Sequence, residues 1–488
     1  MPERDASTID LGTYRYDQDH AAGGEAAAPT PGHGARRAAV RRWGLPAAVL
    51  LVLPLAGAAT PPEPALELLW SVPAANPVGD SQVVFAVDDD HLYLATAEED
   101  AGDREWTLAG YGLADGRMRW RAPLSGSNIP SLWPVGPTLV VHTSGRDGSP
   151  ATAGYEPATG QQRWTRPEGV FRADGHDLML LMGRTFPAPN PDEPYGDEME
   201  LIPVDPRTGR DAGGTLRIGA HDSLVVSARP GGGVDLFTLA RDGVVTRYDV
   251  TTGEAVATVD TPHRERDAEG SQNQLSVGDG LLLVGARGGD APPAVSAYDA
   301  GTLAHRWDAP IAADLPRSCG PVVCVNSRSG DTEVLHGLDP ATGAVRWSVP
   351  CTLAGAPGLE CQRLAAQPLP GDRLWVEIEP SGEGREPTTA RVVDAASGRP
   401  LSATTRWELP FPWQGPGLLL RLREPVPGPA ADDGAEPSPP RTWWARASGD
   451  PTGLDVLGTT GPAWSCGTHW PYLICEDAQE LTVWRVGG

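Results

Sequence analysis

The chain has 488 residues, is 40% hydrophobic and 21% charged, and carries a net charge of −25. That balance excludes a disordered chain, and a surface so acidic repels nucleic acid and anionic lipid headgroups while drawing cationic partners. The 59 Gly and 50 Pro follow no collagen period, so they punctuate short elements with many tight turns.

Residues 1–60 hold acids and arginines in equal number, which assigns the whole net charge to residues 61–488. Residues 1–42 read as a disordered cytoplasmic tail. Residues 43–59, "WGLPAAVLLVLPLAGAA", carry no charge. As a helix they span roughly 25 Å, near the lower limit for crossing a bilayer. Arg36, Arg37, Arg41 and Arg42 precede them and no basic cluster follows. The positive-inside rule then makes this a single transmembrane signal anchor, with the N-terminus cytoplasmic and the remainder extracytoplasmic. The alternative is a signal peptide cut near Ala58, which yields a secreted protein. Residues 60–65 are a linker.

From residue 66 onward the chain repeats one phrase. "GLDPATGAVRWSVP" (337–350) and "YEPATGQQRWTRP" (155–167) are close copies. "YGLADGRMRWRAP" (111–123), "YDVTTGEAVATVD" (248–260), "YDAGTLAHRWDAP" (298–310) and "VDAASGRPLSATT" (393–405) are looser, and "VDPRTGRDAGGTL" (204–216) is the most worn. Each is an alternating apolar run, a turn with Gly, and a second run centred on Trp. Gly accepts the positive φ of a tight hairpin, and Asp at the turn's start bonds the backbone ahead of it. Another pair of apolar runs lies upstream of each hairpin, as in "QLSVGDGLLLVGA" (274–286). Four short strands per repeat, with Trp120 to Trp164 spaced by 44 and Trp307 to Trp347 by 40, is the period of a propeller blade. "LELLWSVP" (66–73) is a fourth strand without its blade. "YLICEDAQELTVWRV" (472–486) lacks a fourth strand, so the first closes the last. Eight blades follow from the count, with seven or nine as alternatives, and a Pro-rich insert occupies 423–441.

All six cysteines lie in this region, as an exported, oxidised domain would have them. Spacing pairs neighbours: Cys319 with Cys324, Cys351 with Cys361, and Cys466 with Cys475. The first pair needs a hairpin at Gly320–Pro321, because an extended strand would hold its cysteines about 16 Å apart. No C-x-x-C accompanies them, so no metal site is assigned.

The motif D-x-x-T-G-x-x-x-W, complete at 339–347 and present at 156–164 with Glu156 for the Asp, resembles the blade motif of the pyrroloquinoline-quinone-type (PQQ-like) β-propellers. The resemblance runs through nearly all of 65–488. It implies an all-β fold in which a blade's Trp packs on the Gly turn of its neighbour, a role that falls to Trp120, Trp164, Trp307 and Trp347. In the family's alcohol dehydrogenases it would further imply adjacent cysteines, a calcium site and an Asp base. No position matches those motifs, so no cofactor and no catalytic residue is assigned.

The remaining motifs read as structure. There is no H-E-x-x-H, H-x-H or G-x-S-x-G, and "RPGGGVD" (229–235) lies between strands. The acids Asp192, Glu193, Asp197, Glu198 and Glu200 read as a solvated loop, and "VDDDHLY" (87–93) as a turn between strands. Trp443 and Trp444 face opposite sides of a strand; one packs inside and the other is a candidate partner contact. The expected function is therefore a membrane-tethered binding or scaffold module for an envelope protein or glycan. The alternative is a quinone-dependent or polysaccharide-acting enzyme.

Overall fold

The computed structural model describes residues 66–73, 83–100, 103–126, 130–145, 147–172, 179–186, 198–219, 222–229, 232–264, 272–287, 294–329, 332–351, 361–369, 371–380, 389–401, 419–424, 441–447, 454–460, 465–476 and 480–487. The expected tail, anchor and linker lie outside these residues, as does most of the Pro-rich insert. Among the described residues no helix is long and apolar enough to cross a membrane.

The described chain is all β. Among the described residues its strands form nine antiparallel sheets, seven of four strands and two of three. Numbered along the chain, sheets 1 to 8 occupy residues 83–124, 131–166, 169–219, 223–260, 272–308, 314–350, 361–394 and 419–460. Sheet 9 combines 465–486 with the N-terminal strand Leu66–Pro73, which pairs antiparallel with Glu480–Val486 from Leu66↔Val486 to Pro73↔Glu480. Seven hairpin phrases are legible in the sequence, one for each of sheets 1 to 7. Counting hairpins omits sheet 9, whose fourth strand comes from the other end of the chain. In sheet 7 an isolated bridge, Val393↔Pro400, stands where the fourth strand would be.

From sheet 8 through 9 and 1 round to sheet 7, each sheet packs face to face on the next. Shared apolar clusters join 8 to 9 through Trp444 and Leu473, 9 to 1 through Ile474 and Leu92, and 1 to 2 through Leu108 and Leu139. Further clusters continue pairwise from sheet 2 to sheet 7. First strands lie against first strands, as Val83–Val87 with Ser131–Val135 and Ser223–Ala228 with Gln272–Gly278. Second strands such as Thr138–Ser144 are buried almost throughout, while fourth strands such as Met118–Leu124 are largely exposed. First strands are thus central and fourth strands peripheral: the architecture is a β-propeller.

Tryptophan makes the joint between sheets. The Trp120 ring leaves no room for a Cβ on Gly160 of the next sheet, and its Nε1–H donates to Pro157 O at 2.6 Å. Trp164 repeats this with Gly209 and Pro206 O at 2.9 Å, Trp307 with Gly343 and Pro340 O at 2.8 Å, and Trp347 with Gly398 and Ala395 O at 2.9 Å. The other face of the ring lies on a small residue of its own third strand. A Cβ on Gly110, Gly154 or Gly337 would fall within 2.4 Å of the ring of Trp120, Trp164 or Trp347. Trp70, on the closing strand, docks on Gly116 and donates to Leu113 O at 2.9 Å, so the same joint seals the ring. Burying each ring contributes on the order of 2–3 kcal/mol.

The glycine sits where the turn needs positive φ. In seven hairpins the N–H of one residue donates to the carbonyl four residues earlier, as Gly343 to Asp339 at 2.8 Å. Six of these residues are Gly, with φ from 64° to 76°; the seventh is Leu303, at φ 58°. The exception has a cause one sheet back. Ala257 of sheet 4 stands where Trp347 stands in sheet 6, so no ring descends on the turn of sheet 5. Leu303, only 3% exposed, fills that space beside Ala257 and Val259. Sheet 3 also lacks the Trp. There Gly213 and Gly214 bring backbone directly onto the next turn, and Gly214 N–H donates to Thr251 O at 3.0 Å.

Two outcomes follow. Leu303→Gly relieves a left-handed leucine but empties its site, and should destabilise by about 1–3 kcal/mol. Ala257→Trp alone should also destabilise, through overlap with Leu303. Combined, the glycine clears that overlap, although Arg247 and not a small residue lies beneath position 257, so denaturant melts should place the double variant above the sum of the singles by at least about 1 kcal/mol; simple additivity would refute the compensation. The second concerns Asp222, whose burial pushes its carboxyl up to about 6. Its folded value exceeds its unfolded one, so its contribution to stability is present at low pH and lost as pH rises through 6. Asp222→Asn should therefore gain on the order of 2 kcal/mol at pH 8 and little at pH 4. A pH-independent difference in melting midpoint would overturn the assignment.

Candidate functional site

Both inner and outer turns share one face of the ring. The amide of the turn between third and fourth strands donates to the turn between first and second strands of the same sheet: Leu113 to Asp90 O at 2.8 Å, Ala300 to Gly280 O at 2.9 Å, and Ala395 to Asp372 O at 2.8 Å. The outer turns are acidic, and several are internally balanced. Asp339 accepts from the amides of Ala341 and Thr342 at 2.9 and 3.0 Å and pairs with Arg346 at 2.6 Å. Those Arg346 bonds come first among the causes that hold its carboxyl below the ordinary range. Asp299 does the same with Arg306 and Thr302, which bring it to about 2. Arg163 pairs with Glu156 at 2.6 Å. The Arg-Trp pair of the repeat thus sends Arg to the turn and Trp to the next sheet.

On the inner side of this face lies a pocket of about 440 Å³. Three consecutive first strands build it: Ser465–His469 of sheet 9, Val83–Val87 of sheet 1 and Ser131–Val135 of sheet 2. Phe85 and Trp133 supply aromatic walls, and Asp88, Asp89 and His469 supply polar groups. A Cβ on Gly467 would come within 3.0 Å of the Phe85 ring, so glycine there lets the ring lie close to the neighbouring strand. Trp133 stacks on His142 at 6.4 Å. Burial pushes the His142 imidazole down, toward its neutral form.

The two carboxylates have different duties. Asp88 accepts from the amides of Asp90 and His91 at 2.9 and 2.7 Å, from His91 Nδ1 at 3.2 Å, and from the Tyr93 hydroxyl. Tyr93 is fully buried, and burial, followed by its bond to Asp88, keeps its hydroxyl protonated. Asp88 therefore holds the turn. Asp89 has its side chain 97% exposed and meets His469 Nε2 at 3.1 Å, across the seam between sheets 9 and 1.

Other polar clusters serve the fold. Asp235, 5% exposed, is paired with Arg229 and, at 2.9 Å, with Arg247. His263 Nε2 lies 2.7 Å from Ser296 Oγ, whose hydrogen goes to Asp308 at 2.6 Å. The serine proton is thus committed to the carboxylate, and the imidazole acts as donor. Both residues are buried, so this trio is no nucleophilic triad. Among the described residues no group of His, Cys, Asp and Glu is arranged to hold a metal ion.

The sequence-assigned residues fall as follows. Trp120, Trp164, Trp307 and Trp347 occupy the joints, and Trp70 is a fifth of the same kind, outside the D-x-x-T-G-x-x-x-W motif. Its signal was the same fourth-strand position. Cys319–Cys324 and Cys466–Cys475 are disulfides, with Cα atoms 5.8 and 4.1 Å apart. Cys319 N–H donates to Val322 O at 2.9 Å, making the tight hairpin that the first pair needs. Cys351 is disulfide-bonded, and the Cys361 side chain lies outside the described residues. Trp444 is fully buried and donates to Thr460 Oγ1 at 3.1 Å; the Trp443 side chain lies outside the described residues. Of the acidic loop, Glu198 and Glu200 begin the strand Glu198–Val204, and Asp192, Glu193 and Asp197 lie outside. The pocket itself was not legible, because its strands come from both ends of the chain.

A protein-family model described as outer membrane protein assembly factor BamB matches residues 65–215. No curated protein matches the chain. Among solved structures, BamB from Moraxella catarrhalis is similar at 14% identity and a TM-score of 0.41, over 86% of this chain and 97% of that one. A computationally designed protein, Ika8, is similar at 12% and 0.41, over 86% and 100%. The C-terminal WD40 domain of Sif2 is similar at 10% and 0.41, over 87% and 99%. The architecture rests on the sheets themselves rather than on these likenesses.

Asp88→Ala should test the division of labour between the two acids. It strips four donors of their acceptor, one of them a buried Tyr93 hydroxyl, and should cost roughly 1–3 kcal/mol in a denaturant melt. Asp89→Asn should stay within about 0.5 kcal/mol of the parent. Equal effects would contradict the structural assignment of Asp88.

Proposed function

We propose that the chain is a membrane-tethered, extracytoplasmic propeller that acts by binding an envelope partner, a protein first and a glycan second, rather than by catalysis. One observation carries this reading: a single face gathers the inner and outer turns around a pocket, on a rigid ring whose recurrent Asp, Arg, Gly and Trp are committed to the fold. Turns held by such a scaffold are where propellers and other rigid folds place recognition. Similarity to an assembly factor over residues 65–215 suits a scaffold role. Two further features support the location. Disulfides persist in oxidising compartments, and the uncharged run 43–59 behind four arginines suits a signal anchor.

The test is photo-crosslinking in cells of the source organism. A crosslinker at position 372, on the turn face, should give a discrete adduct with an envelope protein. One at 147, in a turn joining second to third strands and so on the opposite face, should not. Adducts from 147 alone, or none from either, would reject the reading. A parallel melt of the purified full chain with pyrroloquinoline quinone and Ca²⁺ should show no shift. A saturable rise would, by linkage, indicate a cofactor pocket and bring the quinone enzyme forward.

A further inference from the structure

We infer that the pocket between sheets 9, 1 and 2 receives the arginine or lysine side chain of a basic segment on a protein partner. This rests on the binding role proposed above and names the site and the chemistry of the partner. The pocket, at about 440 Å³, falls at the small end of the range for ligand sites, which runs from about 300 to 1,000 Å³. It has room for a side chain with its flanking backbone.

The lining selects charge. Asp89 presents a carboxylate that is 97% exposed, with one oxygen turned to His469 at 3.1 Å. Trp133 and Phe85 offer aromatic surface for the alkyl stem and for a cation over a ring face. Among the described lining residues there are two carboxylates, one histidine and no arginine, so the lining favours a cation over an anion. The net charge of −25 works in the same direction at long range. The outer turn acids Glu156, Asp299 and Asp339 compete less, because their own arginines pair with them.

The backbone favours a peptide over a free amine. The three strands lining the pocket are edge strands of their sheets, and edge strands leave alternate N–H and C=O groups without a strand partner. An extended segment can bond to such an edge while its side chain occupies the cavity. A neutral glycan would use the aromatic walls and the backbone but would gain nothing from the charge of Asp89.

The experiment is titration calorimetry on the purified full chain with a blocked Gly-Arg-Gly peptide, its citrulline counterpart, which keeps the shape and loses the charge, and a neutral glucan tetrasaccharide. The arginine peptide should bind saturably at one site, and more weakly at high salt. The citrulline peptide should bind about tenfold more weakly, and Asp89→Asn and Trp133→Ala should each cost the arginine peptide about three- to fivefold. Because the Asp89 side chain is exposed, Asp89→Asn decides the matter even if Trp133→Ala folds poorly. Unchanged affinity in Asp89→Asn, equal binding of citrulline, binding of the glucan alone, or no binding of any probe each overturns the inference. A crosslinked partner at position 372 would in those cases leave the broader binding role standing, whereas loss of both would remove it too.

Discussion

A tryptophan ring can join two sheets only where the surfaces above and below it carry almost no side chain. In this ring that condition is met by a small residue ten positions before the Trp on its own sheet and by a positive-φ glycine on the next. Gly110, Trp120 and Gly160 are one such set, and Gly337, Trp347 and Gly398 another. Each joint constrains residues in two repeats at once, which is why the repeat is visible in the sequence at all. The turn acid and its arginine then fix the hairpin that offers the glycine. Remove the ring and both constraints lapse together. The turn of sheet 5 shows this, where a left-handed Leu303 is tolerated opposite Ala257. In sheet 3, Gly213 and Gly214 replace the ring by direct backbone contact.

The parts of the fold that were legible are those written within one repeat. The phrase around Trp347 contains the whole hairpin logic, from the Asp339 cap to the bulge that shifts register between Gly337 and Leu338. Closure by Leu66–Pro73 could be read because an orphan fourth strand and an incomplete last sheet are each local facts. The ninth sheet was harder, since its strands sit at opposite ends of the chain. The compensation between Ala257 and Leu303 was not legible either. It depends on which turn a given strand meets, and that is set by the packing of one sheet on the next rather than by any single repeat.

The site was less legible than the fold for the same reason. "VDDDHLY" read as a turn, and Asp88 does hold that turn through the amides of Asp90 and His91. Nothing local distinguishes Asp89 from its neighbours. Its character comes from His469 and Trp133, which two other sheets deliver. Three acids of the outer turns, Glu156, Asp299 and Asp339, have arginine partners seven positions away within their own hairpin. Sequence spacing therefore identifies those three charges as spent, and the ring is what places Asp89 beside the pocket.

The closing strand has a consequence for the order in which the molecule can be made. Leu66–Pro73 leaves the ribosome first among the propeller's strands, yet its partner Glu480–Val486 leaves last. Until then Trp70 can reach its turn at Gly116, but the strand's backbone has no ladder to join. An unpaired edge held open for the whole of synthesis invites the wrong pairing, and contacts between chain ends form slowly. The final hairpin, cross-linked at Cys466–Cys475, is thus the piece whose arrival turns a growing arc into a ring. A nascent chain stalled before it would expose one flank of sheet 1 and leave the pocket without its third wall.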